Sequence, residues 1–179
     1  MKRGPQVILP KDIGLIMAYA GISKESVCVD AGTGSGWLAL SLARVAKHVY
    51  SYDIREEFIR IAEANRELLD VDNITFKNKD VTKKIDEKEV DLVTLDFQNS
   101  DKALPNAKRA LKKGGVVLGY LPNTEQVRIF VMKLNKLKFT DVHAVEMILR
   151  DLLVREEGVR PSTKGVWHTG YLVFAKRGA

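Results

Sequence analysis

Three glycines and four acidic residues have the types and spacing to hold a ligand. The stretch VDAGTGSGWLA, residues 29–39, sets Asp30 ahead of Gly32, Gly34 and Gly36 and then turns apolar; Asp53, Asp80 and Asp96 follow, each closing a strand-like run. Glycines at alternate positions let backbone approach a ligand closely, and a helix beginning just after them offers free N–H groups to a carboxylate or phosphate. Read from Gly34, GSGWLA fits the dinucleotide pattern G-x-G-x-x-A, and Asp53 lies near the expected distance for an acid that holds a ribose. The loop alone suits NAD as well as other adenine-bearing ligands.

These residues need a scaffold that brings them to one edge. KDIGLIMAYAG reads as an amphipathic helix ended by Gly21, SVCVDAG as an apolar strand running into glycine, and GWLALSLARVAKH as a helix. VYSYD, the helix REEFIRIAEANRELL, and ITFKNKD continue the alternation. The strand VDLVTLD, a helix over residues 102–111, a turn KKGG, the strand VVLGYLP and a helix over residues 124–137 follow, and then two long strand candidates, FTDVHAVEMIL and GYLVFAK. Five βα alternations with a terminal strand pair predict an open, mainly parallel α/β sheet with helices on both faces. Ligands on such sheets bind outside the carboxyl ends of the strands, where Asp30, Asp53, Asp80 and Asp96 all fall.

Composition bounds the rest. With 179 residues, 45% hydrophobic, the chain is long enough for one well-packed domain and short for two, so residues 1–179 are expected to form a single domain. The longest apolar runs fall far below the roughly 18 residues of a membrane span, and the basic start leads into no signal-like stretch, which predicts a cytoplasmic protein with no membrane partner. The lone Cys28 allows no internal disulfide, and His48, His143 and His168 lack metal-ligand spacing, so no metal is expected. The net charge is +6: residues 1–90 hold 14 basic and 14 acidic residues, residues 91–179 hold 15 and 9, so a polyanion would land on the second half.

The full set, D-x-G-x-G-x-G with Asp53 and Asp80 at the next two strand ends, resembles the S-adenosylmethionine-dependent methyltransferases of class I, Rossmann-like fold. That resemblance implies a seven-stranded sheet ending in an antiparallel strand pair. S-adenosylmethionine carries a sulfonium and an ammonium and no pyrophosphate, so a rim of carboxylates suits it and repels a dinucleotide. The resemblance places Asp30, Gly32, Gly34 and Gly36 about the methionyl portion, Asp53 on the ribose hydroxyls and Asp80 on the adenine amine.

Later segments resemble a narrower family. RGPQVILPKDIG at residues 3–14, GYLPNTEQ at 119–126, ILRDLLVREEGVRP at 148–161 and HTGYLVFAKR at 168–177 are similar to the tRNA adenine-58 N1-methyltransferases, which act on the T loop and in archaeal members also on adjacent adenine-57. The resemblance implies tRNA as partner and Asp96 as the catalytic acid, hydrogen-bonded to the exocyclic amine of the target base as N1 is methylated. Tyr120 and Asn123 at the end of the fifth strand would meet the base, Arg155 and Arg160, with Trp167 nearby, would take phosphate, and His168 would wall the pocket. Four of these have a plainer reading: a helix cap for Asp96, core packing for Tyr120, a buttressed loop for Arg160, a hydrogen-bonded histidine for His168.

Two departures stand out. The family usually carries a small β domain ahead of the Arg-Gly-Pro-Gln segment, where this sequence begins; a second copy or a partner subunit is expected to replace it in docking. The family also places a proline two residues after the catalytic acid, where this chain has Phe97-Gln98-Asn99. The expected function is tRNA adenine N1-methylation. The alternatives are a small-molecule methyltransferase of the precorrin type, or a weakly active homologue serving as partner of a larger methyltransferase.

Overall fold

The structure is a computed structural model that describes residues 7–165 and 168–178. Alternation of side chains along each central strand divides the core in two. Val29 and Ala31, Val93 and Leu95, and Val173 and Ala175 pack on one face, while Cys28, Leu92, Leu172 and Phe174 pack on the other. The first face is covered by α4 (Leu104–Ala110) and α5 (Thr124–Lys136), through Leu104, Phe130 and Leu134; the second is covered by α1 (Pro10–Ala20) and α2 (Trp37–Ala43), through Ile13, Ile16, Leu40 and Leu42. Pro10 opens α1 where its missing N–H costs nothing, and Gly21, at φ +61°, closes it.

Seven strands form the sheet: β1 (Val27–Ala31), β2 (His48–Tyr52), β3 (Ile74–Lys77), β4 (Val90–Leu95), β5 (Leu111–Leu121), β6 (Phe139–Glu146) and β9 (Tyr171–Arg177), in the order β3-β2-β1-β4-β5-β9-β6. The first five run parallel, and β9 is antiparallel to both β5 and β6. This is the expected doubly covered Rossmann-like sheet with its terminal strand pair. The order reverses between β1 and β4, so the ends of those strands, with α3 (Glu56–Leu68) following β2, frame the crevice.

Three local readings change. The lysine-glycine turn at residues 112–115 is a bulge inside β5: Val90 pairs with Leu111 and Leu92 with Val116, and Gly114 takes φ +73°. The helix expected over residues 102–111 is a 3-10 turn, Ser100–Ala103, leading into α4. The connection between the last two sheet strands holds a hairpin, β7 (Leu152–Arg155) with β8 (Gly158–Pro161), that the sequence reading leaves as a loop. Among the described residues no helix is long and apolar enough to cross a membrane.

Candidate active site

The glycine loop turns on three left-handed residues, Gly32 at φ +96°, Gly34 at +51° and Gly36 at +82°. Gly32 and Thr33 donate their N–H groups to the Tyr52 carbonyl at 2.9 and 3.1 Å, which pins the loop over the end of β2. Asp30 lies beneath it, 2% exposed, accepting the Ser51 hydroxyl at 2.6 Å and the Thr94 hydroxyl at 2.7 Å. Burial raises its pKa, and the two hydroxyls only partly offset that. Both Asp30 oxygens are thus occupied by neighbouring strands, so it braces the loop from behind.

Two cavities open above the strand ends. One, about 440 Å³, is lined by Gly34, Ser35, Phe58, Tyr120, Gln126 and Thr169; the other, about 540 Å³, by Asp53, Ile54, Asp80, Val81, Asn99 and Lys102. Gly32, Arg55, Asp96, Phe97 and Gln98 line both, so the cavities adjoin along that ridge.

Asp53 is held at the end of β2 by the Gly34 N–H, at 3.1 Å, and by the Arg55 N–H and side chain, at 3.0 and 3.2 Å. Arg55 was not anticipated, although its place two residues after a strand-end acid is a signal that could have been read. Its guanidinium lies 4.0 Å over the Phe58 ring and is half exposed. Asp80 accepts the Thr82 N–H at 2.8 Å and hydroxyl at 2.7 Å on one oxygen, which lowers its pKa and leaves the other oxygen toward the second cavity's wall.

Asp96 stands where the cavities meet. Its backbone N–H donates to the Ala31 carbonyl at 2.8 Å, while its carboxyl accepts no hydrogen bond among the described residues. Burial, and then the charges of Asp30 and Asp53, push its pKa up to about 7. Asp53 and Asp96 thus bring two acidic side chains to the cavity walls, with Asp30 buried behind them. Among the described residues the buried Ser35 hydroxyl, at the wall of the first cavity, has no hydrogen-bond partner, and a Cβ on Gly34 would meet only the Gly32 carbonyl, at 3.8 Å. A ligand with cationic, hydroxyl and amine groups fits this donor and acceptor set, and a pyrophosphate does not.

The remaining expected residues divide. Tyr120 lines the first cavity, 7% exposed, with its hydroxyl on Asp12 at 3.2 Å. Asn123 accepts the Gln126 N–H at 2.9 Å and caps α5. His168 lies between Glu146, at 2.6 Å, and the Pro122 carbonyl, at 3.2 Å; two acceptors on its two nitrogens favour imidazolium, and its pKa is raised accordingly. Arg155 and Arg160 stand away from both cavities on the β7–β8 hairpin: Leu153 pairs with Arg160, so Leu153, Arg155 and Arg160 share one face, and Leu152, Val154, Val159 and Pro161 share the other. Trp167 lies outside the described residues.

Residues 1–163 match the family described as tRNA methyltransferase complex GCD14 subunit. The tRNA (adenine(57)-N(1)/adenine(58)-N(1))-methyltransferase of Methanocaldococcus jannaschii is 39% identical, over 98% of this chain and 73% of that one. Among solved structures, a SAM-dependent O-methyltransferase of Thermotoga maritima superposes with a TM-score of 0.94 at 31% identity, covering 97% of this chain and 67% of that one. The tRNA (m1A58) methyltransferase of Aquifex aeolicus gives 0.92 at 29% identity, covering 98% and 72%.

Proposed function

The chain belongs to the tRNA methyltransferase complex GCD14 subunit family, and from that membership we propose that it transfers the methyl group of S-adenosylmethionine to N1 of adenine-58 in tRNA, and also to adjacent adenine-57. The single observation that carries the reading is Asp96, whose carboxyl accepts no hydrogen bond among the described residues and stands at the ridge between two adjoining cavities. The relative named for both positions supports the pair of targets.

S-adenosylmethionine, held with its adenosine in the 540 Å³ cavity and its methionyl portion along the glycine loop, would supply an electrophilic methyl group on a sulfonium. Asp53 takes the ribose hydroxyls, with the half-exposed Arg55 guanidinium giving way, and the outer oxygen of Asp80 takes the adenine amine. Asp30, Gly32, Gly34 and Gly36 hold the loop against the methionyl portion. Asp96 accepts a hydrogen bond from the target base's exocyclic amine. As N1 bonds to the methyl carbon and the carbon–sulfur bond breaks, the base gains positive charge, and the adjacent carboxylate stabilises it and can take the amine's proton. A carboxyl already raised to about 7 is matched to that task near neutral pH. Tyr120 and Thr169 wall the base side.

tRNA phosphate falls to Arg155 and Arg160, whose shared hairpin face lies in the basic half of the chain. The opposite hairpin face, with Leu152, Val154 and Val159 at least 60% exposed, supports association with a second copy or a partner subunit, because an isolated two-stranded ribbon is marginal in water. Asn123, after β5, and His168, before β9, stand beside residues of the base cavity's wall: Asn123 accepts from Gln126 and His168 holds the Pro122 carbonyl.

Incubating unmodified tRNA with the protein and S-adenosylmethionine, then mapping methylated nucleosides by mass spectrometry, tests the reading. N1-methyladenosine at positions 57 and 58 is the expected product. Methylation of another nucleoside, or of none, contradicts it.

A further inference from the structure

Lys11 and Asp12 form an ion pair that water does not reach: their side chains are 7% and 0% exposed, and the ammonium stands 2.8 Å from Asp12 Oδ1. The pair is fully used. Lys11 also donates to the Met147 carbonyl at 2.6 Å and to the Thr169 hydroxyl at 2.8 Å, and Asp12 Oδ2 accepts the Thr169 hydroxyl at 2.8 Å and the Tyr120 hydroxyl at 3.2 Å. The first turn of α1, the end of β5, the stretch after β6 and the approach to β9 therefore meet at two charges.

Taking two ions out of water costs several kcal/mol each, so a pair of this kind is a poor device for stabilising a fold. What it does hold are Tyr120 and Thr169, both in the wall of the cavity that Asp96 faces. Tyr120 is fixed from a second direction as well. A Cβ on Gly170 would stand 2.6 Å from Tyr120 Cζ, so the ring lies directly on bare backbone. A hydroxyl held by a buried carboxylate and a ring resting on glycine leave the side chain little freedom.

We propose that Lys11 and Asp12 are positioning residues for methyl transfer: they lock Tyr120 and Thr169 into a rigid wall that aligns the target base with Asp96. The proposal rests on the methyltransferase reading above. Its physical basis is pre-organisation, since a base held a fraction of an ångström off line reacts far more slowly.

The test compares wild type, Asp12→Asn, Tyr120→Phe and the double variant, measuring kcat and KM on tRNA together with the affinity for S-adenosylhomocysteine by calorimetry. Asp12→Asn is expected to lower kcat about tenfold or more with cofactor-product affinity within about twofold of wild type, and to add little in the Tyr120→Phe background. Effects that multiply in the double variant, or a loss of rate matched by an equal loss of S-adenosylhomocysteine affinity, would overturn it. If Asp12→Asn does not fold, Tyr120→Phe and Thr169→Val leave the ion pair in place and carry the same test; wild-type kcat in both overturns the proposal. Failure of the methyltransferase reading shows separately, as wild type that leaves tRNA adenine unmethylated, and takes this proposal with it.

Discussion

A Cβ on Gly32 would stand 2.0 Å from the backbone carbonyl oxygen of Asp96, and the Asp96 N–H donates to the Ala31 carbonyl next door at 2.8 Å. The glycine loop and the acid assigned to the chemistry are therefore in direct backbone contact. Gly32→Ala cannot be accommodated by a rotamer change, because the obstacle is backbone and φ is +96°. It is expected to cost on the order of 2–4 kcal/mol in denaturant unfolding and to abolish measurable S-adenosylhomocysteine binding. Wild-type stability in the variant contradicts the contact.

Asp53 is the ribose acceptor in this account. Asp53→Ala should weaken S-adenosylhomocysteine binding by about 1–3 kcal/mol in calorimetry, because two hydroxyls lose a charged acceptor. NAD should give no binding heat with wild type, and tight NAD binding would overturn the cofactor assignment.

The burial of Asp96, and then the charges of Asp30 and Asp53, make stability depend on pH with a definite sign. The carboxyl titrates at about 7 in the folded chain against an ordinary 3.8, so between those values the folded state holds a proton that the unfolded state releases. Its contribution to stability is fully present below 3.8 and is lost as pH rises through about 7. Asp96→Asn escapes that loss: it should match wild type near the acid end and exceed it at pH 8 by on the order of 4 kcal/mol in urea unfolding. A constant difference between the two proteins across this range would contradict the sign.

The course of the strands and the acids at their ends were legible because the alternating apolar runs end on Asp30, Asp53 and Asp96, with Asp80 in the turn after β3. The difference between those acids was not. Asp30 and Asp96 give the same local signal, and only strand register sets Ser51 and Thr94 on either side of Asp30, where their hydroxyls close over it. The β7–β8 hairpin escaped for a related reason: most of its residues are exposed on both faces, so residues 152–161 lack the one-sided burial that marks a strand. The turn at 112–115 was visible, but its status as a bulge depends on Val90 finding Leu111 across the sheet. The link from Lys11 and Asp12 to Tyr120 and Thr169 spans more than a hundred residues and carries no local pattern.

Phosphate contact through the hairpin implies a salt dependence. Affinity for tRNA should fall steeply with ionic strength, and the pair Arg155→Ala, Arg160→Ala should reduce the slope of log affinity against log salt by roughly 1–2, as two phosphate contacts are lost. A flat response in wild type favours a small-molecule substrate instead.

The central claim is that the Asp96 carboxylate acts on the target base and not on the cofactor. The most direct measurement is the single-turnover rate of N1-methyladenosine formation on tRNA by Asp96→Asn, taken beside its affinity for S-adenosylhomocysteine. The expected result is a rate lowered on the order of a hundredfold or more with affinity nearly unchanged, as for loss of a positioned proton acceptor. A variant as fast as wild type would reduce Asp96 to a strand-end residue of the cavity wall and contradict the account.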